Sequence, residues 1–200
     1  MSKAKIRIVE STCVPLPYEN VDTDQIIPAR FLTATSREGF GDNLFRDWRY
    51  DKNGHKNMDF VLNDPSYQGE ILVAGKNFGC GSSREHAVWA VHDYGFKAVV
   101  SSYFADIFRN NALNNGLLPV VLPGKIFEEL LNLVKAEPET KVKIDLQEQL
   151  FTILSIGLSI RFDINPYKKE CLLNGLDDID YLLGIQNLIL EFENKKKIFA

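Results

Sequence analysis

Residues 70–95 read EILVAGKNFGCGSSREHAVWAVHDYG. The apolar run at 70–74 is short and bounded by glycine, which suits a buried strand. Nine residues follow, 75–83, holding three glycines and the serine pair. From about residue 84 to 94 the spacing predicts a helix, closed by Gly95. The same alternation continues downstream. Residues 98–101 suit a strand, 104–113 a helix and 117–122 a strand. At 126–135 a further helix is predicted, because Ile126, Phe127, Leu130, Leu131 and Val134 recur close to the 3.6-residue period. A β-α-β-α-β-α order argues for parallel strands joined by crossover helices.

The flanks differ. Residues 5–14 alternate and are β-branched, as a first strand would be, with Pro15 and Pro17 ending it. Residues 20–28 read as polar turns leading to Ile26, Ile27 and a proline stop, and a short helix is expected at 29–32. Residues 141–146, 151–155 and 158–163 have the pattern of short antiparallel strands. A helix at 166–174, closed by Gly175, and more helix at 179–194 make a helical C-terminal extension over 165–200. The expected architecture is a single α/β domain over 1–200: a mixed sheet with crossover helices and that extension.

The chemistry concentrates in 77–87. Gly79 and Gly81 permit tight turns and close approach of backbone to a ligand. Ser82 and Glu85 stand at capping-box spacing, so the helix is expected to start at the serines with Glu85 as cap partner. Its free N–H groups and positive dipole end would then suit a carboxylate or phosphate. Arg84 in the first turn opposes that dipole, and an anionic ligand would explain it. An ordinary cap accounts for Ser82 and Glu85 equally well, so local pattern alone leaves both readings open. The stretch is neither a P-loop, which needs G-K-[ST], nor a nucleophile elbow, which needs G-x-S-x-G.

Composition narrows the rest. The 200 residues are 45% hydrophobic and 25% charged, with a formal net charge of -4. That is a globular composition without the basic stripe a nucleic-acid partner would need. Lys195, Lys196 and Lys197 form one basic run, which reads as a solvated tail. The three cysteines, Cys13, Cys80 and Cys171, are far apart and form no C-x-x-C. They supply neither a zinc nor an iron–sulfur spacing, and they suggest a reducing compartment. The first ten residues lack an apolar core for a signal peptide, and no run of about 18 apolar residues spans a membrane. A cytoplasmic protein is expected.

Five segments in order carry a resemblance: NVDTDQIIPARFL at 20–32, GFGDNLFRDWR at 39–49, NFGCGSSREHAVWA at 77–90, SSYFADIFRNNALNNGLLPV at 101–120 and LLNGLDDI at 172–179. The chain resembles the swivelling β/β/α domain of the aconitase superfamily and, more narrowly, the small-subunit family of bacterial 3-isopropylmalate dehydratases. The resemblance implies a reversible dehydration and rehydration that interconverts 2-isopropylmalate and 3-isopropylmalate. It implies a separate large subunit that carries a [4Fe-4S] cluster, with no metal and no cofactor on this chain. By motif position it makes Ser82 the catalytic base and Ser83 and Arg84 the groups that bind a substrate carboxylate. Gly79, Cys80, Gly81, Glu85 and His86 would shape the site, with His86 a structural hydrogen-bonding residue.

The resemblance also implies a second substrate arginine upstream, for which Arg30 and Arg37 are candidates and Arg37 the preferred one. It sits in an irregular stretch, 33–57, that would set substrate preference, with Phe40, Phe45 and Trp48 contacting the isopropyl group. Asp22 and Asp24 read as turn caps. Three functions stay in view: the hydro-lyase subunit (with homoaconitate or citramalate-type substrates as variants), a stand-alone carboxylate-binding module, and a hydrolase using Ser82 or Ser83 with His86.

Overall fold

The computed structural model describes residues 4–32 and 39–197. Seven strands form one mixed sheet in the order β4-β3-β2-β1-β5-β6-β7. The strands are β1 (Ile8–Leu16), β2 (Ile71–Ala74), β3 (Ala98–Ser101), β4 (Leu118–Val121), β5 (Lys141–Asp145), β6 (Leu150–Ile153) and β7 (Leu158–Arg161). β1 to β4 pair in parallel, with Cys13 opposite Ile71 and Val100 opposite Val120. β5 to β7 pair antiparallel, and β5 joins β1 antiparallel. β1 is therefore the seam between the two halves predicted from the β-α alternation and the C-terminal strand pattern. It runs through Pro15 to Leu16, two residues past the expected stop.

The helices are α1 (Thr23–Ile26), α2 (Arg46–Arg49), α3 (Glu85–Asp93), α4 (Asp106–Asn114), α5 (Gly124–Ala136), α6 (Pro166–Asn174), α7 (Asp178–Gly184) and α8 (Gln186–Lys197). The continuous apolar run of β2 is explained by burial on both faces. Ile71 and Val73 join α5 and the antiparallel strands through Phe127, Leu130, Ile144 and Phe151. Leu72 and Ala74 join the opposite layer, with Ala87, Val88 and Val91 of α3 and Phe108 and Ala112 of α4.

Three expectations change here. The helix after the serines starts at Glu85, with Arg84 as its N-cap in extended conformation and no side-chain cap. Residues 23–26, expected as turn, form α1, because Asp22 and Gln25 make a complete capping box. The D-x-x-Q spacing that encodes it is visible in the sequence. Finally, the apolar residues at 40–45 of the described part of the 33–57 stretch pack into the core, while 51–57 is exposed. Phe40, Leu44 and Phe45 are buried in the α3–α4 layer. Phe45 stacks on Trp48 with 5.4 Å between ring centroids. These aromatics are used in packing, so Phe40 and Phe45 are not available to touch an isopropyl group.

The C-terminal extension is helical as expected. Asn165 caps α6 through Tyr167 and Lys168 amides, Pro166 opens it, and Gly175 closes it in left-handed conformation. The helix predicted over 179–194 is broken at Ile185 into α7 and α8.

Candidate active site

The serine pair lies in the loop 75–84, outside the carboxyl end of β2. That is where open parallel sheets present ligand sites. The loop is laced to its neighbours on both sides. Toward β1, the Gly79 amide donates to the Val21 carbonyl at 2.8 Å, and the Thr23 amide to Cys80 at 3.0 Å. The Thr23 hydroxyl donates to the Ser82 carbonyl at 3.0 Å. Toward β3, the Asn77 amide donates to Tyr103 at 2.9 Å and the Ala105 amide to Phe78 at 3.2 Å. Val21 and Thr23 thus hold the loop that carries the serines, a role that charge and spacing alone did not reveal.

Gly79 and Gly81 both have positive φ, at 76° and 86°. They serve different needs. A Cβ on Gly79 would overlap the buried Phe108 ring, whereas one on Gly81 would meet nothing nearer than the Asp22 Cβ at 3.4 Å. Gly79 is thus required by close approach as well as by conformation, and Gly81 by conformation alone.

Ser82 and Ser83 are exposed. Neither hydroxyl bonds to another described residue, so both are available to a ligand. Arg84 turns toward α1, where its guanidinium pairs with Asp24 through one terminal nitrogen. The arginine is half-buried and the aspartate exposed. That hydrogen bond holds the Asp24 carboxyl below the usual carboxylate value, against a smaller opposing effect of burial. Asp24 is therefore an ion-pair partner, while Asp22 is the cap the sequence suggested. An arginine held by one nitrogen keeps further donors of its planar fork for a carboxylate.

Glu85 is not a cap partner. Its carboxylate accepts from the Asn115 amide nitrogen at 2.9 Å. Asn115 in turn accepts from the Trp89 indole at 3.1 Å. The capping spacing was therefore misleading: Glu85 ties α3 to the end of α4. His86 packs its ring against Trp89 and Phe40, with centroids 4.5 and 5.4 Å apart. Its recorded contacts are ring packing rather than the expected hydrogen bond. The Cys80 thiol donates to the Asn20 carbonyl at 3.3 Å. Burial, then the nearby Asp22 charge, push its pKa up, which makes it a poor nucleophile.

Of the two upstream arginines, Arg30 is already engaged. It grips Asp47 with both terminal nitrogens and lies over Phe31, 4.7 Å from the ring centroid. Arg37 lies outside the described residues. Among the described residues, no group of three or more His, Cys, Asp or Glu side chains could hold a metal ion.

The comparisons with known proteins agree with this geometry. Residues 3–125 match the model of the aconitase C-terminal domain. A 3-isopropylmalate dehydratase small subunit of Christiangramia forsetii is 59% identical over 193 residues, 96% of this chain and 94% of that protein. A protein of the same name from Cytophaga hutchinsonii is 56% identical, covering 98% of each chain. The crystal structure of a 3-isopropylmalate dehydratase from Methanocaldococcus jannaschii superposes with a TM-score of 0.63 at 30% identity, over 93% of this chain and 99% of that one. With the family model matching more than half of the chain and relatives more than half identical over nearly all of it, the chain belongs to the 3-isopropylmalate dehydratase small-subunit family, built on the aconitase C-terminal domain.

Proposed function

We propose that this chain is the small subunit of a 3-isopropylmalate dehydratase, a hydro-lyase of leucine biosynthesis, active in complex with a large subunit. The observation that carries the reading is the exposed Ser82–Ser83 pair at an uncapped helix N-terminus with Arg84 beside it. Such a junction favours negative charge twice over, through the helix dipole and through the guanidinium.

Ser82 acts as the base. Its oxygen, as alkoxide, takes the proton from the carbon next to a substrate carboxylate, and the electron pair of that C–H bond becomes the new C=C bond. The substrate hydroxyl leaves and takes up a proton to become water. Rehydration at the neighbouring carbon reverses these steps and gives the isomer. The alkoxide is disfavoured in free serine, and the helix amides and Arg84 are the local sources of stabilisation. Ser83 and Arg84 hold the carboxylate, the fork of guanidinium donors fixing its plane. A [4Fe-4S] cluster on the large subunit would supply Lewis-acid binding of the substrate hydroxyl. The described residues of this chain offer no set of ligands for it.

Arg37 is proposed as the second substrate arginine on the resemblance alone, and the 33–57 stretch as the determinant of substrate preference. The reducing cytoplasm is the proposed compartment. It suits three free cysteines, and no helix among the described residues is long and apolar enough to cross a membrane.

The test is anaerobic reconstitution with a cluster-loaded large subunit, following the ultraviolet absorbance of the unsaturated intermediate. Wild-type chain should be inactive alone and active in the mixture. Ser82→Ala should lower kcat by roughly 10²- to 10⁴-fold, the usual worth of a positioned base, while still forming the complex. Undiminished turnover by Ser82→Ala would overturn the assignment of the base.

A further inference from the structure

Arg84 and Glu85 are neighbours of opposite charge, and the fold sends them to different partners. The Arg84 guanidinium pairs with Asp24 of α1. The Glu85 carboxylate accepts from the side-chain nitrogen of Asn115, the residue that closes α4, at 2.9 Å. α1 follows β1 and α4 follows β3, the two strands that flank β2 and its serine loop. We propose that Asn115 is a positioning residue for the reaction, holding the Glu85 carboxylate off the Arg84 guanidinium and so keeping that guanidinium open to a substrate carboxylate. The inference rests on the small-subunit reading above and adds to it how an acidic neighbour is kept out of the carboxylate site.

The partners of Asn115 fix its orientation. An indole N–H only donates and a carboxylate only accepts. The Asn115 side chain meets one of each. Its oxygen accepts from the Trp89 indole at 3.1 Å, and its nitrogen donates to Glu85. The same nitrogen also donates to the Asn111 carbonyl at 2.8 Å, which commits both of its hydrogens. Turned over, the amide would lose all three bonds. Asn115 is buried, at 9% exposure, so water does not freely replace a lost partner. Glu85 and Trp89 stand at i and i+4 of α3, and one amide therefore grips two successive turns of one helix face.

Placement of that carboxylate matters because of where the helix begins. Neighbouring side chains within a helix point apart. Arg84 is the extended N-cap of α3 and not a helical residue, so helix geometry alone does not separate its guanidinium from Glu85. Glu85 is exposed, and polar contacts rather than burial set where its carboxylate lies. A carboxylate tethered one residue away competes at high effective concentration with a substrate that arrives from solution. Asp24 already takes one terminal nitrogen of Arg84. A second internal carboxylate on the remaining donors would take the planar fork that a substrate carboxylate needs.

Docking of the two helices does not by itself call for this network. α3 and α4 already share one apolar cluster through Ala87, Val91, Phe108 and Ala112, all buried. An apolar side chain at 115 would extend that cluster. A neutral amide there instead gives Glu85 a donor without adding charge near Arg84, which a lysine or arginine in the same place would not do.

The experiment measures kcat and KM for 2-isopropylmalate on full-length chain reconstituted anaerobically with cluster-loaded large subunit, and Tm of the isolated chain. Asn115→Leu removes the donor at similar volume. It should raise KM about two- to five-fold, the worth of one exposed ion pair, with kcat nearly unchanged. Adding Glu85→Gln to Asn115→Leu should return KM to the wild-type value, because the competing charge is gone, while the Tm lost with Asn115 stays lost. Glu85→Asp, at an exposed position, serves if Asn115→Leu fails to fold. Its carboxylate is a methylene too short to reach Asn115 and should raise KM by a similar factor. Wild-type KM in either single variant that folds overturns the inference. A raised KM that persists in the double variant overturns it too, and leaves Asn115 a structural tie. Both results require an active wild-type mixture and leave the small-subunit reading standing, whereas absence of wild-type turnover overturns that reading and this inference with it.

Discussion

Replacing Gly79 with alanine tests whether the serine loop is fixed by close packing or only by backbone conformation. The residue has φ at 76°. A Cβ there would overlap the ring of Phe108, which is buried and edge-on to Phe78 at 5.1 Å. Two costs follow. Left-handed conformation disfavours alanine by about 1–2 kcal/mol. Overpacking a filled core adds about 1–3 kcal/mol. The expected destabilisation is about 2–5 kcal/mol, or a fall in Tm of roughly 5–15 °C for a chain of this length. Gly81→Ala is the built-in control, since its φ is 86° but its nearest neighbour would be 3.4 Å away. It should lose only the conformational part, about 1–2 kcal/mol. Urea unfolding of both variants, with Phe108→Leu alone and combined with Gly79→Ala, completes a double-mutant cycle. The combined variant should be more stable than the sum of single losses predicts, by about 0.5–3 kcal/mol of coupling. Equal destabilisation by the two glycine substitutions, with no coupling to Phe108, would refute the claim that packing holds the loop.

Two further outcomes are expected. Asp24 has its carboxyl pKa lowered by Arg84 from 3.8. A depressed folded-state pKa means that the pair stabilises the fold above the unfolded value and loses that contribution as pH falls through the lowered one. The Tm difference between wild type and Asp24→Asn should therefore be constant above about pH 5 and shrink below about pH 4; a difference that grows on acidification would contradict the pairing. For the thiols, burial pushes Cys13 up to about 12, and Cys171 is raised by burial as well. Iodoacetamide at pH 8, followed by mass spectrometry, should label half-exposed Cys80 first and slowly, and Cys13 only on unfolding. Native Cys13 labelled as fast as Cys80 would show that β1 opens far more readily than its pairing on both sides suggests.

The parallel half of the sheet was legible because its signal is local. Two-sided burial writes continuous apolar runs such as 71–74, and crossover helices write a 3.6-residue period. Gly175 and Asn165 were legible ends for the same reason, since each cap is a short-range hydrogen-bond pattern. What the sequence concealed depends on long-range contact. Ser82 and Glu85 have the spacing of a capping box, yet Glu85 is drawn 30 residues along the chain to Asn115. The aromatics at 40–48 resemble a ligand-facing cluster until α3 and α4 are seen to cover them. The D-x-x-Q spacing marks Asp22 as a cap, but no local pattern shows that Asp24 is an ion-pair partner. The approach of residues 20–24 to the serine loop, more than 50 residues later, is what gives Asp24 its role.

On the proposed function, that approach also explains why half a site can be stable before its substrate arrives. An arginine beside a helix N-terminus is disfavoured by the dipole, and a bare cation there would repel the amides it is meant to assist. Asp24, itself exposed, offsets that charge. The pair is exposed on its acidic side, so water and salt screen it and little is lost when a substrate carboxylate takes over. Asp24 needs only rotate away or share the guanidinium, because it is bound through one terminal nitrogen. A buried carboxylate in the same role would resist that exchange, since breaking a desolvated pair leaves an uncompensated charge. On the proposed function, the surface position of Asp24 is what lets Arg84 be held in place and still be free to bind.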